Sequence, residues 1–397
     1  MYFDSLTSLS STALYISFLI YLVAIIPLGL SVKSKGKAFS IIGIALTWVG
    51  FILQLLYFVT RWYVSGHAPV SNLYEFMTFF GIMLVGSFLI IYHIFRQSVI
   101  GLFALPIALL ILGFANAFSK DISPLVPSLQ SGWLQIHVTT VAFSSAILSI
   151  AFITGIIFLL KTIHPEEKSN KPFFLELVMY FLVIVFAFIS VTSTFSMIGY
   201  NKNIAFENYN LETEVYQYKM PAIVVPKDSI VVSDDYKEQF ANQNNGILEI
   251  PNSIDSKKLN SLIWSFLAGS LLYILIRLFT RRKIISLLKP LTQKVNATTM
   301  DEVTYRAIII GFPLFALGGL IFGSIWAQMA WGRFWGWDPK EVWSLITFLF
   351  YAVLLHLRIG GGLRGEKTAW MAIIGFSIIV FNQVFVNLVI AGLHSYA

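Results

Sequence analysis

Ten runs of about 20 mostly apolar residues limit what this chain can fold into, because a run of that length crosses a bilayer as a helix. They lie near residues 12–32, 38–60, 76–95, 98–118, 137–160, 175–199, 259–280, 306–330, 340–358 and 368–393. In lipid, backbone polar groups must be satisfied within the segment, so helices are the only economical reading. The fold class expected is an all-α polytopic integral membrane protein with about ten transmembrane helices. Composition agrees: 12% of residues are charged, against about 25% in soluble domains. Residues 12–31 have no basic segment before them and no small-residue cleavage site after them, so they read as a retained first helix. The chain has no cysteine, which excludes disulfides, thiolate metal sites and a thiol relay of its own.

Lysine and arginine set the expected orientation. One alternating set of loops holds 17 of the 27 basic residues, from Lys33, Lys35 and Lys37 through Arg96 and Lys161 to Arg358, Arg364 and Lys367. Those loops are read as cytoplasmic, which puts both termini outside. The net charge of +7 is then the ordinary inside bias, with no nucleic-acid patch. Three parts are expected: helices 1–6 over residues 1–199, a small extracytoplasmic insertion over 200–258, and helices 7–10 over 259–397. The insertion is acidic, with nine Asp and Glu against six Lys. Its alternating stretches Glu212–Tyr218 and Ile223–Val232 predict short strands. Residues 284–305 read as a short surface helix, and the chain as multi-pass in the cell (cytoplasmic) membrane.

Between the eighth and ninth spans runs W-A-Q-M-A-W-G-R-F-W-G-W-D-P-K-E-V-W, residues 326–343. It holds Trp326, Trp331, Trp335, Trp337 and Trp343, half of all the tryptophan. An interfacial aromatic belt accounts for one or two tryptophans per helix end. Five around two glycines and Arg333 suit a large, flat, apolar ligand at the membrane surface better. Asp338, Pro339 and Glu341 read as N-cap, N1 and N3 of a capping box that starts the ninth helix.

The six histidines separate by depth. His137 starts the fifth span and His394 ends the tenth, both level with the tryptophan stretch. Each alone suits an interfacial cap, yet two imidazoles at one level are a common axial pair for haem iron. His356 lies inside the ninth span, about 26 Å below Pro339 at about 1.5 Å per residue. That is near the inner edge of the hydrocarbon, where an ionisable residue is a candidate site by default; the other reading is a histidine that snorkels to the headgroups beside Arg358. His93 sits at a similar level and is the same-chain residue that could pair with it, although snorkelling beside Arg96 explains it as well. His67 lies in an outer turn, S-G-H-A-P, near Arg61, Trp62 and Glu75, and is kept as a site candidate. His164 reads as solvated. No HExxH, Walker, Rossmann or GxSxG pattern occurs. Midplane carboxylates, which an ion-coupled transporter needs, are scarce.

W-G-R-F-W-G-W-D-P-K-E-V-W resembles the tryptophan-rich WWD signature of haem-handling proteins in cytochrome c maturation. G-H-A-P-V-S-N-L-Y-E at 66–75, P-S-L-Q-S-G-W-L-Q-I-H-V at 127–138, H-L-R at 356–358 and G-L-H-S-Y at 392–396 resemble further segments of that family. In this order the set is similar to the CcsA/ResC-type subunits of the System II cytochrome c synthase, within the CcmF/CcmC-like WWD-domain group. The resemblance implies a subunit of a haem lyase-type synthase rather than a complete enzyme, with no catalytic residue singled out. It implies that haem b (iron protoporphyrin IX) is ligated at the outer face by His137 and His394. His356 would hold haem within the membrane on its way out, opposite a ligand from a CcsB/ResB-like partner subunit. Trp326, Trp331, Trp335, Trp337, Asp338, Arg333 and His67 belong to the expected haem surroundings. Arg333, Lys340 or Arg61 are suited to its propionates. Apocytochrome c would bring the CxxCH thiols, kept reduced by a separate thiol-reducing system. Two other readings stand beside this one: an exporter or channel for another large apolar ligand, and a b-type haem electron-transfer subunit.

Overall fold

The computed structural model describes residues 2–33, 36–122, 130–207, 213–232, 246–252 and 254–386. Among them are ten helical segments long and apolar enough to cross a membrane, which makes this a multi-pass membrane protein. The elements, in order, are α1 (Tyr2–Lys33), α2 (Lys37–Ser65), α3 (Leu73–Phe95), α4 (Ser98–Ala115), α5 (Gly132–Thr162) and α6 (Lys171–Met197). Strands β1 (Lys202–Glu207), β2 (Thr213–Tyr218), β3 (Val224–Pro226), β4 (Ile230–Val232) and β5 (Leu248–Ile250) follow. Then come α7 (Ser256–Thr280), α8 (Ile284–Leu288), α9 (Ala297–Phe315), α10 (Gly323–Trp331), α11 (Pro339–Ile359) and α12 (Glu366–Val380). Two π-helical segments extend the helices: Ala316–Phe322 joins α9 to α10, and Phe381–Val386 continues α12.

The chain divides into two units, Met1–Leu175 with Ile285–Ala397, and Glu176–Ile284. In the first unit α5 is the central helix, buried along nearly its whole length. It packs against α3, α4, α9, α10 and α12. Lipid tails give no hydrophobic drive between helices, so association relies on close contact of small residues. Gly155 supplies one such contact, since a Cβ there would lie 3.1 Å from the Ala369 carbonyl of α12. Thr154 on α5 and Thr304 on α9 share a hydroxyl–hydroxyl bond of 2.7 Å; one of them gives its proton to the other, which in turn donates to a carbonyl one turn back on its own helix.

The second unit contains α6, α7 and the strands. β2, β1 and β4 form an antiparallel sheet in that order, and β3 pairs in parallel with β5. Strands at Thr213–Tyr218 and within Ile223–Val232 match the expectation, while β1 and β5 go beyond it. The Tyr218 hydroxyl bonds to the Val224 carbonyl and Ser256. Burial pushes its phenol up to about 12, so it serves as a neutral donor. The Asn260 amide accepts the Ile223 N–H and donates to the Pro221 carbonyl, which ties the sheet's connecting turn to α7.

One boundary differs from expectation. The eighth span begins at Ala297, nine residues before the expected 306, and the stretch read as a surface helix is reduced to α8 and the turn Lys289–Thr292. Asn296 caps it by accepting the Thr298 and Thr299 N–H groups, and Met300, Val303 and Ala307 bury its face. Its early start places Asp301 beside Arg358. Arg358 Nη2 donates to Asp301 Oδ2 at 2.7 Å and Nη1 to Oδ1 at 3.1 Å. Oδ1 also accepts the Gly365 N–H, and Arg358 reaches the Leu363 carbonyl and Thr368. This nearly buried pair fastens α9, α11 and the start of α12 together. Asp301→Ala strands the guanidinium and should cost about 3–5 kcal/mol, whereas replacing both partners by leucine should recover most of it. Thermal unfolding in detergent of the single and double variants measures the difference.

Candidate functional site at the tryptophan-rich end

A cleft with about 1060 Å³ of non-atom space, part of it open to the exterior, lies in the first unit beneath the tryptophan stretch. Its walls come from the start of α3, from α5, from the first π segment and α10, from the first turns of α11 and from the second π segment. Each wall has a local cause. Asn72 caps α3 by accepting the Glu75 N–H. Glu75 also accepts from the Ser71 N–H and hydroxyl. It forms a buried ion pair of 2.8 Å with Arg61, and Arg61 donates on to the Lys120 carbonyl. Arg61, weighed above as a carboxylate anchor, is therefore already committed to holding α2, α3 and the chain after α4.

His137 stands on the α5 wall. Its Nδ1 lies 2.8 Å from the Gly318 carbonyl. A carbonyl can only accept, so Nδ1 carries a proton, and in the neutral imidazole Nε2 then holds the lone pair. The ring lies parallel to Trp326, at 5.7 Å between centroids and 11°, with Trp326 only 2% exposed. Both neighbouring glycines are needed. A Cβ on Gly318 would sit 2.9 Å from the Thr140 side chain and 3.0 Å from the Val141 nitrogen, and one on Gly323 would meet the His137 ring at 3.1 Å.

The structure divides the tryptophans among several roles. Trp331 packs on Trp326 at 4.8 Å, behind the His137 wall, and Trp343 packs on Phe381. Trp335, with Phe334, lines the cleft. Trp337 touches Trp335 edge-on and is 70% exposed. Arg333 is exposed, and its guanidinium folds over Gly336, where any Cβ would collide with it. Asp338 is the N-cap of α11, with Pro339 at N1 and the expected capping box complete. The Glu341 carboxylate accepts the N–H groups of Gly336 and Asp338, one on each side of Trp337. That grip holds Trp337 at φ +59°, a left-handed conformation that costs a non-glycine residue about 1–2 kcal/mol.

The remaining candidates are dispersed. His67 donates from Nδ1 to the Ala68 carbonyl and keeps a buried Nε2 without a partner, outside the cleft lining. α11 buries Thr347, Tyr351 and Leu354 and leaves His356 exposed on another face. His93 bonds to the Leu89 carbonyl and meets Trp48 edge-on. Its helix packs chiefly on α2, α4 and α5, while α11 packs on α9 and α12, so the two imidazoles are not set on neighbouring helices. His394 lies outside the described residues. Among the described residues no three His, Asp or Glu side chains converge as a metal site.

Sequence reasoning named Lys340 and Glu341 but missed Ser344, Asn382 and Gln383, which share the polar side of the cleft with them. The adjacent amides inside the apolar tenth span, V-F-N-Q-V-F, were the available signal. It also missed the two π segments, a winding often found at functional sites.

The strained tryptophan and its capped neighbour should respond in opposite ways. Asp338→Ala loses the cap and should destabilise by about 0.5–2 kcal/mol. Trp337→Gly loses little packing and relaxes the left-handed backbone, so its stability should be unchanged or higher by up to about 1 kcal/mol. Unfolding curves of the two variants against wild type test both.

The model of the family described as "Cytochrome C assembly protein" matches residues 70–204 and 261–394. Among curated relatives, the "Cytochrome c biogenesis protein CcsA" of Trieres chinensis is 29% identical, the match covering 100% of this chain and 99% of the relative. That of Nostoc sp. (strain PCC 7120) is 30% identical over 85% of this chain and 82% of its own. That of Prochlorococcus marinus (strain MIT 9312) is 28% identical over 99% and 95%. The matched segments take in every wall of the cleft, from Val70 to Gln383, and the relatives extend over nearly the whole chain. It is a member of the cytochrome c assembly protein family.

Proposed function

We propose that this protein acts in c-type cytochrome biogenesis by holding haem b in the cleft beneath the tryptophan stretch and presenting it to apocytochrome c. Membership of the family supports the process. The observation that carries the haem reading is His137: its Nδ1–H is tied to the Gly318 carbonyl, its ring is backed by Trp326, and its Nε2 lone pair is the form that ligates iron. The surroundings fit a porphyrin, with Val138, Phe334 and Trp335 offering apolar contact and Lys340 a cation for an acid group.

His394 is the second axial ligand in this reading, and His356 is the earlier station within the membrane. The exposed position of His356 on α11 suits a ligand supplied by a CcsB/ResB-like partner subunit better than one from His93. The basic loops are cytoplasmic, the tryptophan stretch and both termini extracytoplasmic, and the membrane is the cell (cytoplasmic) membrane. Thioether formation adds each substrate thiol across a vinyl group, sulfur to one carbon and hydrogen to the other. The substrate cysteines must therefore arrive reduced, and a chain without cysteine depends on a separate thiol-reducing system. What this chain contributes is positioning of the haem edge against the CxxCH segment.

Purified with its partner, the protein should show a bis-histidine Soret band. His137→Ala and His394→Ala should each lower haem occupancy at least about tenfold, since even the loss of a group behind a ligand costs about 10–100-fold. Each should abolish cytochrome c maturation, and His356→Ala should lower loading of both stations. Normal maturation with unchanged spectra in the His137 and His394 variants would overturn the reading.

A further inference from the structure

Across the cleft, Lys340 and Ser344 lie one turn apart on α11, opposite Asn382 and Gln383 on the π segment that extends α12. The Asn382 amide meets the Ser344 hydroxyl at 3.2 Å. Asn382 is only 4% exposed, yet its Oδ1 is buried with no partner. A buried polar atom of this kind is rare and calls for an explanation. The serine hydroxyl both donates and accepts, so turning the amide over preserves that bond and leaves an N–H₂ group for the corner instead. Gln383 and the Lys340 ammonium make no hydrogen bond or ion pair with a described residue. The nearest carboxylates are occupied, Glu341 by the Gly336 and Asp338 N–H groups and Asp338 by the Lys340 N–H.

An ammonium, a hydroxyl and two amides thus line one side of the cleft, and among the described residues no carboxylate is hydrogen-bonded to them. A carboxylate has about four lone-pair sites and accepts strongest from charged donors. We propose that Lys340, Ser344, Asn382 and Gln383 form a carboxylate-binding corner, which holds an acid side chain of the porphyrin against α11. This rests on the haem reading and adds to it which part of the porphyrin faces that wall. The acid edge is anchored here, which leaves other edges for the substrate.

The test is titration of the purified full-length protein, in detergent, with iron protoporphyrin IX and with its dimethyl ester. Wild type should hold the free diacid at least about tenfold more tightly than the ester, the size of one charge-assisted bond. Both should give a histidine-type Soret band. Lys340→Gln and Asn382→Leu should shrink the preference to within about twofold, and Lys340→Arg should keep it. The readout is a ratio, so partial loss of folded protein cancels. Equal affinity of wild type for the two porphyrins, or variants that keep the full preference, would overturn the corner while histidine-type bands leave the haem reading standing. Absence of a histidine-type band with either porphyrin would overturn both.

Discussion

Lipid supplies no partner for a backbone carbonyl, so any departure from α-helical winding inside a membrane protein has to be satisfied by the protein itself. At Ala316–Phe322 the chain widens into a π segment, and the Gly318 carbonyl accepts the Gly323 N–H five residues on. Its second lone pair takes the Nδ1–H of His137. One contact therefore completes the backbone and fixes the imidazole tautomer. It depends on the close approach of α5 to the turn, which Gly318 allows because it has no side chain to strike Thr140 and Val141. Since α5 packs against α3, α4, α9, α10 and α12, the cleft is built on the most buried of the spanning helices.

The tryptophan stretch has a graded organisation rather than a single aromatic face. Trp326 is a buried backing for His137, Trp331 packs on Trp326, and Trp335 reaches the cleft. Trp337 stands out to the exterior on a strained backbone. The strain is maintained by Glu341, whose carboxylate also completes the helix cap. Local strain persists where its surroundings over-determine it, and such places are commonly functional. A single glutamate thus couples the shape of the exposed loop to the start of α11.

The features legible in the sequence were those set by local rules. Span lengths follow from bilayer thickness, and the Asp338–Pro339–Glu341 cap follows from chemistry within one helical turn. The Asn72 cap of α3 obeys the same local rule. The π segments were not, because whether a carbonyl bonds four or five residues on is decided by what packs beside it, here His137 and α5. The pairing of Arg61 with Glu75 was hidden although both residues had been noted together, since nothing in their spacing says that the pair is buried and already satisfied. Asn382 and Gln383 were visible as amides in an apolar run, but their common corner with Lys340 and Ser344 needs the fold.

Two desolvated ion pairs bracket the first unit. Arg61 and Glu75 lie at the cleft end, and Arg358 with Asp301 lies at the far end of α11, about 30 Å along the helix from Asp338 to Arg358 at about 1.5 Å per residue. Once formed, a buried pair is far costlier to break than to keep, so each pair resists separation of the helices that meet at its end. Between them α5 is packed with Ile150, Ile153, Ile157 and Leu159, all buried, and its Ser149 and Thr154 hydroxyls bond to their own helix. A planar ligand cannot pass through such an interior without opening it. If His356 and His137 are successive stations, as the proposed function holds, the passage runs along the exposed flank of α11 on which His356 stands. That is the side a partner subunit would have to cover.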